Sequence, residues 1–190
     1  MVAPAFSEQA NAPAEISMRI GKKNHVSKLT MRPYEPADQP GIDQMMQGIA
    51  AEYPQAISGP HSVKIAEAYR LPNQRYWVAL DGHKVVGTVG VILLAEQNAV
   101  LKRMMTDKDY RGASTGLASR LMATAIQWAR SHGTTTIYLG TMAQFLAAQR
   151  FYQKHGFEEV PLEGLPADLV VNPIDPLHYR LNVSSFQNQA

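Results

Sequence analysis

The sequence predicts an α+β domain: a mixed, mostly antiparallel central β-sheet flanked by helices. Three consecutive strand-like runs with short links occupy residues 76–106, which indicates an antiparallel meander. From residue 115 onwards, helical and strand-like patterns alternate. The composition, 45% hydrophobic and 18% charged, is that of an ordinary globular domain with a full core.

The first half of the chain is predicted from its apolar spacing. Alternating side chains from Leu29 predict a first strand, and helical spacing predicts a helix over 39–52. A short second helix is expected after residue 65 and before Pro72, which cannot continue it. Strands are predicted at 76–80, 85–94 and 99–106, with Asp81 and Gly82 forming a hairpin turn.

The second half alternates helices and strands. A helix is expected from residue 115 to His132, where Gly133 ends it. The remaining elements are a strand at 134–139, a helix at 141–154, a strand at 157–160, a loop with four prolines at 161–176 and a strand at 177–183. Residues 1–27 are expected to be a mobile N-terminal extension, 28–183 the domain, and 184–190 a polar tail.

Charge and composition exclude several function classes. The net charge is only +2 and the basic residues are scattered, so no nucleic-acid partner is expected. The apolar stretch at 85–95 is too short to span a bilayer and the N-terminus lacks a secretory pattern, so we expect a cytoplasmic protein without a membrane partner. Cysteine is absent and the histidines lack paired ligand spacing, so neither a thiolate nor a metal site is expected.

A loop rich in small residues lies at positions 111–118, between a strand and a helix. Two glycines let the backbone approach an anion, and the helix N-terminus adds a partial positive charge. Arg111 can add a guanidinium. The loop lacks the lysine of a Walker A motif and the spacing of a dinucleotide fingerprint. Taken alone, it is equally typical of an ordinary strand-to-helix turn.

A second candidate is Tyr152, on the predicted helix at 141–154. Its hydroxyl can donate a hydrogen bond or a proton. Taken alone, a tyrosine on an apolar helix face is also typical of a core residue whose hydroxyl reaches the rim.

Together, the two stretches resemble the GNAT superfamily of acyl-CoA-dependent N-acyltransferases, over residues 28–183. The approximate spacing between loop and tyrosine also agrees with that family. The resemblance rests on the strand at 101–106 followed by a set of scattered positions: Asp107, Tyr110, Arg111, Gly112, Gly116, Leu117, Ala118, Ala148, Tyr152, Gly156 and Phe157.

The resemblance implies how acetyl-CoA binds. The strand at 100–106 would separate from the strand at 136–140, and the pantetheine arm would pair with main-chain groups between them. The cofactor-binding residues implied on the strand are Arg103, Met104, Met105 and Thr106. Those implied on the pyrophosphate loop are Arg111, Gly112, Ala113, Ser114, Thr115, Gly116, Leu117 and Ala118. Tyr152 would contact the cofactor and protonate the departing thiolate.

The implied activity is N-acetyl transfer from acetyl-CoA to a primary amine of a small molecule or amino acid, by direct attack in a ternary complex. A strand N–H near Met104 or Met105 would stabilise the oxyanion. Alternatives are an acyl-CoA sensor without catalysis, acetylation of a protein or peptide amine, and an unrelated phosphate-binding protein. A monomer or homodimer is expected.

The chain departs from the family pattern at three places. The loop after Arg111 is about two residues longer than usual, Phe145 replaces a common asparagine, and Val100 replaces a common glutamate that helps to deprotonate the amine. The general base is therefore open, with three carboxylates as candidates: Glu52, Glu67 and Glu96. The acceptor pocket is expected among residues 53–69 and 161–179, with these candidates: Tyr53, His61, Tyr69, His178 and Tyr179.

Overall fold

A computed structural model describes residues 14–17, 28–53, 63–112 and 115–186. Within them, eight strands form one sheet. The strands are β1 (Ala14–Ser17), β2 (Lys28–Pro33), β3 (Gln74–Asp81), β4 (Lys84–Leu93), β5 (Asn98–Thr106), β6 (Thr136–Thr141), β7 (Glu158–Val160) and β8 (Leu177–Asn182). The helices are α1 (Gln39–Ala50), α2 (Ile65–Ala68), α3 (Leu117–Ser131) and α4 (Leu146–Lys154). The spatial order of the strands is β1-β2-β3-β4-β5-β6-β8-β7.

Six of the seven strand pairs in this sheet are antiparallel, and β5 with β6 is the parallel one. A parallel pair needs a crossover, and α3 supplies it. The fold class predicted from the sequence, a mostly antiparallel mixed sheet with flanking helices, is confirmed.

Two hydrophobic clusters cover the two faces of the sheet. The first lies under α3 and α4, and its members include Leu121, Ile126 and Tyr152. The second lies under α1 and includes Ile42, Met45 and Tyr76. We call these the α3/α4 face and the α1 face. Because both faces are covered, a ligand reaches the centre of the sheet only where two strands separate.

The predicted order of elements over 28–183 agrees with the structure, with small shifts at the ends. Strand β1 was not predicted, because four alternating residues are too short to indicate a strand; it pairs with β2. The other residues of the predicted extension lie outside the described part of the chain. Helix α4 begins at Leu146 and not at Thr141, because Thr141 still pairs with Leu177 and a turn follows it. In that turn the Phe145 N–H donates to the Met142 carbonyl.

Strand β4 accommodates a side chain that crosses its α1 face. A Cβ at Gly90 would collide with the ring and hydroxyl of Tyr69. The Tyr69 ring lies 4.8 Å from that of Tyr76 on β3, centroid to centroid. Glycine at this position therefore lets Tyr69 lie directly on the sheet. In the described part of the chain, no helix has the length and apolar content needed to cross a membrane.

Candidate active site

The centre of the sheet opens between β5 and β6. The two strands pair only from Asn98 with Thr136 to Leu101 with Leu139. Beyond Leu101, β5 continues to Thr106 paired with β4 alone, while β6 continues paired with β8. In the described residues, the β6-facing groups of residues 102–106 therefore lack a strand partner, which an extended ligand can supply. We call this opening the β5–β6 split.

A β-bulge lies in β5 at the beginning of the split. Thr88 pairs with Met105 but Gly90 pairs with Lys102, so Arg103 and Met104 together face one residue of β4. Arg103 has a φ of +51°, a left-handed conformation that costs a non-glycine residue about 1–3 kcal/mol. The buried Thr88 hydroxyl donates a 2.9 Å hydrogen bond to the Arg103 carbonyl and so holds the bulge.

The bulge directs neighbouring side chains to different faces of the sheet. Met104 packs against the cluster on the α3/α4 face, and Met105 packs against the cluster on the α1 face. Burial raises the pKa of Tyr69 and Tyr76, and the charge of Arg103 offsets part of this rise, so its guanidinium lies near both hydroxyls on the α1 face. The guanidinium makes no ion pair with any residue that the structure describes.

The predicted phosphate loop leads into the N-terminus of α3. Gly116 caps the helix with a φ of +58°, a conformation that favours glycine. The Thr115 hydroxyl donates to the carbonyls of Tyr110 (2.5 Å) and Gly112 (3.1 Å), which fixes the approach to the helix. The first N–H groups of a helix lack intrahelical acceptors and are available to an anion. Ala113 and Ser114 lie outside the described residues.

Arg111 at the start of this loop is paired with a carboxylate. Its two terminal nitrogens lie 2.7 and 2.9 Å from the two carboxylate oxygens of Glu52, and its Nε donates to the Thr106 carbonyl at 2.9 Å. The sequence predicted Arg111 as a phosphate ligand. In this structure its guanidinium is paired with Glu52, a residue that had been a candidate base.

Arg120 is a cation near the phosphate loop that the sequence analysis did not select. It lies in the first turn of α3, where its N–H donates to the Gly116 carbonyl. Its Nη1 is buried and has no hydrogen-bond partner in the described structure. Burial lowers the pKa of the guanidinium. Its place four residues after Gly116, in the first turn of α3, is the signal that could have identified it. A partly buried guanidinium with an unpaired Nη1, on a helix whose first N–H groups lack intrahelical acceptors, fits the phosphates of CoA.

Tyr152 on α4 belongs to the core cluster of the α3/α4 face. It is 7% exposed, and its ring lies 5.7 Å from that of Phe157 and 6.2 Å from that of Tyr179. Within the described residues its hydroxyl makes no hydrogen bond. Burial, and to a smaller extent the charge of Asp175, raises its pKa above 10. The hydroxyl therefore stays protonated through neutral pH and retains a proton to donate.

Several other residues that the sequence predicted for the site pack against other side chains or lie away from the split. Tyr53 packs edge-on against Phe145 at 4.7 Å. Tyr179 is 1% exposed in the core. Glu67 is exposed and pairs with Lys64, and Glu96 is exposed in the β4–β5 turn, so neither lies at the split. His61 lies outside the described residues. Among those described, no three or more His, Asp or Glu side chains could share a metal ion.

Comparison with known proteins gives the family. Residues 42–157 match the family model described as the acetyltransferase (GNAT) family. The chain is 38% identical over 90 residues to an N-acetylaspartate synthetase of Xenopus tropicalis, and 36% identical over 89 residues to human N-acetyltransferase 8B. These matches cover 47% and 44% of this chain but only 32% and 38% of the relatives, so the chain spans about a third of their length.

A bacterial relative is matched over more of its length. The uncharacterized N-acetyltransferase YjgM of Escherichia coli K12 is 29% identical over 132 residues, covering 65% of this chain and 78% of that protein. Among solved structures, a GNAT-family acetyltransferase from Staphylococcus aureus Mu50 has a TM-score of 0.74 at 26% identity, over 82% of this chain and 99% of that one. An aminoglycoside 6′-N-acetyltransferase complexed with coenzyme A shares the fold, with a TM-score of 0.59 at 16% identity over 80% of this chain and 96% of that one. The chain thus belongs to the GNAT acetyltransferase family.

Proposed function

We propose that this enzyme transfers an acetyl group from acetyl-CoA to the primary amine of a small molecule or amino acid, by direct attack in a ternary complex. The observation that carries the proposal is the β5–β6 split, with Tyr152 in the core cluster of one face of the sheet and Arg103 near Tyr69 and Tyr76 on the other. The chain contains no cysteine to carry the acetyl group between two half-reactions.

Features on the α3/α4 face support acetyl-CoA as the donor. Main-chain groups of Arg103, Met104, Met105 and Thr106 would pair with the pantetheine amides in the split. The N–H groups after Gly116 and the unpaired guanidinium of Arg120 would hold the phosphates. When bound, acetyl-CoA supplies the activated thioester; the bulge N–H at Met104 or Met105 would donate a hydrogen bond to its carbonyl oxygen.

Tyr152 would provide the proton for the departing sulfur. Its elevated pKa keeps the hydroxyl protonated at neutral pH, and a donor with a pKa near or above 10 is matched to a thiolate. The Tyr152 ring packs in the core against Phe157 and Tyr179, and this packing fixes the direction of the hydroxyl. A fixed donor loses little entropy when the substrate binds.

Unpaired positive charge on the α1 face favours an acceptor that carries a carboxylate. The guanidinium of Arg103 has no ion-pair partner in the described structure and lies near Tyr69 and Tyr76, whose hydroxyls can add hydrogen bonds. An α-amino acid presents an amine and a carboxylate close together. Several of the relatives are named N-acetylaspartate synthetase, which is consistent with an acceptor of this class.

An acceptor panel tests the proposal. Purified protein with acetyl-CoA is assayed for CoA thiol release with L-aspartate, spermidine, an aminoglycoside and an alanine-terminated peptide. We expect release with the amino acid above the hydrolysis blank, and an Arg103→Gln variant to raise KM for that acceptor more than for spermidine. Faster release with the peptide would favour protein or peptide acetylation. CoA binding in calorimetry without release for any amine would favour a sensor.

A further inference from the structure

Asp175 lies at the β5–β6 split, on the loop that precedes β8. A Cβ built on Gly140 would lie 3.1 Å from the Asp175 Cβ and 3.5 Å from one carboxylate oxygen. Gly140 is the first residue of β6 beyond its pairing with β5. The carboxylate therefore packs against the main chain at the point where the two strands separate, and any side chain at position 140 would displace it.

The carboxylate of Asp175 is half-buried and makes no salt bridge with any residue that the structure describes. Asn172 donates a 3.1 Å hydrogen bond to Oδ2, and no described residue donates to Oδ1. Burial raises the pKa of Asp175, while Asn172 and the charges of Lys102 and His178 lower it in part. Lys102 is close enough to act on Asp175 through its charge, but its ammonium donates to the Val170 carbonyl. These groups lie on β5, on β8 and on the loop itself.

Asp175 also borders a cavity beside β7 and β8. The cavity has a volume of about 590 Å³ and is lined by residues 159–162, 171–173, 175–176 and 178. That volume suits a small-molecule ligand. His178 lines it, is 7% exposed, and has a buried Nε2 without a partner in the described structure. On β8, His178 alternates with the core residues Tyr179 and Leu181, so it lies on the α1 face.

We propose that Asp175 is the general base: it binds the ammonium group of the acceptor at the split and takes its proton, and the cavity beside it receives the rest of the acceptor. This inference rests on the proposed function and assigns the general base that the sequence did not identify. Of the carboxylates selected from the sequence, Glu67 and Glu96 lie away from the split, and Glu52 is paired with Arg111. Asp175 packs against Gly140 at the split and is near enough to Tyr152 on α4 for its charge to raise the pKa of that tyrosine.

The proton balance is complete with Tyr152 as the second group. Oδ1 of Asp175 accepts one proton from the ammonium, which leaves a neutral amine whose nitrogen forms a bond to the acyl carbon. The acyl–sulfur bond breaks, and the sulfur takes the Tyr152 proton. The nitrogen loses its second proton as the amide forms, which restores Tyr152 through solvent. Asp175 releases its proton to solvent, so one proton is produced per turnover.

The test compares Asp175→Asn with Glu163→Gln. The asparagine keeps the size of the side chain, while Glu163 is an exposed carboxylate on the same loop that does not line the cavity. With the panel amine that the wild type acetylates fastest, we expect Asp175→Asn to lower kcat/KM about 10²- to 10⁴-fold at pH 7. For Asp175→Asn, the logarithm of kcat/KM should rise by one for each pH unit, up to the pKa of the amine itself. Calorimetry should show unchanged CoA affinity but weaker amine binding to the CoA complex, and Glu163→Gln should match the wild type throughout.

The wild-type pH profile gives an answer even if the variant folds poorly. An acid limb at one pKa for every acceptor, above the usual aspartate value of about 3.9, supports Asp175 as the base. An acid limb that follows the pKa of each amine overturns the inference, as does an Asp175→Asn variant that behaves like Glu163→Gln. A wild type that acetylates no panel amine contradicts the proposed function, which is a separate result.

Discussion

Glu52 and Arg111 form a bidentate ion pair, with N–O distances of 2.7 and 2.9 Å. One partner follows the end of α1 and the other begins the loop before α3. The pair therefore connects helix α1 to the loop expected to hold the pyrophosphate. A phosphate that recruits Arg111 must compete with the Glu52 carboxylate.

Substitution Glu52→Gln should release Arg111 for that phosphate. Both side chains are partly exposed, so the pair contributes only about 1 kcal/mol. We therefore expect CoA to bind up to about fivefold more tightly to Glu52→Gln, measured by calorimetry at low ionic strength. Glu67→Gln, which removes an exposed carboxylate paired with Lys64, is the control. Weaker CoA binding to Glu52→Gln would mean that Glu52 orients Arg111 and does not compete with the ligand.

Tyr152→Phe should separate binding from turnover. The ring keeps its packing against Phe157 and Tyr179, so CoA affinity and melting temperature should stay near the wild-type values. The lost proton donor should lower kcat about 10²- to 10⁴-fold. Because burial raises the pKa of Tyr152, the wild-type rate should not fall on the alkaline side until above pH 10. Tyr138→Phe, a buried tyrosine on the paired part of β6, serves as the control. Equal turnover in the two variants would assign Tyr152 to the core alone.

The order of elements could be predicted because it depends on local periodicity. Apolar runs with short links along β3 to β5 and helical spacing along α1 and α3 are properties of consecutive residues. The turn residues Gly82 and Gly133 correctly predicted where β3 and α3 end. The start of α4 was wrong, because Thr141 is kept in the strand by its pairing with Leu177, a contact that local sequence does not contain.

The parts of the site that were missed depend on contacts between distant residues. Asp175 meets Gly140 across 35 positions, and Arg111 meets Glu52 across 59. Neither contact leaves a local pattern. Arg120 was missed for another reason: an arginine in an amphipathic helix is usually solvated, and only the three-dimensional structure reveals that its Nη1 is buried and unpaired.

Gly116→Ala should destabilise the fold through backbone strain. The φ of +58° costs an alanine about 1–2 kcal/mol, and no atom lies within 4 Å of the new Cβ, so no steric clash contributes. We expect the melting temperature to fall by about 2–6 °C and CoA affinity to fall with it. Gly48→Ala, inside α1 and equally uncrowded, should raise the free energy of unfolding by about 0.5–1 kcal/mol. A stable Gly116→Ala protein would mean that the loop has another accessible conformation.

Arg120→Leu should improve stability and impair cofactor binding at the same time. The buried Nη1 has no partner in the described structure, and desolvation lowers the pKa of the guanidinium, so the apo protein loses free energy by keeping a cation there. Removing it should raise the free energy of unfolding by up to about 1 kcal/mol.

The effect of Arg120→Leu on binding should have the opposite sign. Loss of one charge-assisted contact to a phosphate should weaken CoA binding about 10-fold, which corresponds to about 1.4 kcal/mol. The loss should shrink at high salt. Thermal melts and CoA titrations of the same variant measure the gain in stability and the loss of CoA affinity. Arg75→Gln, which changes an exposed arginine on β3, should alter neither quantity. A variant that gains stability and binds CoA as well as the wild type would remove Arg120 from the phosphate site, since a cation that contacts the ligand cannot be lost without cost to affinity.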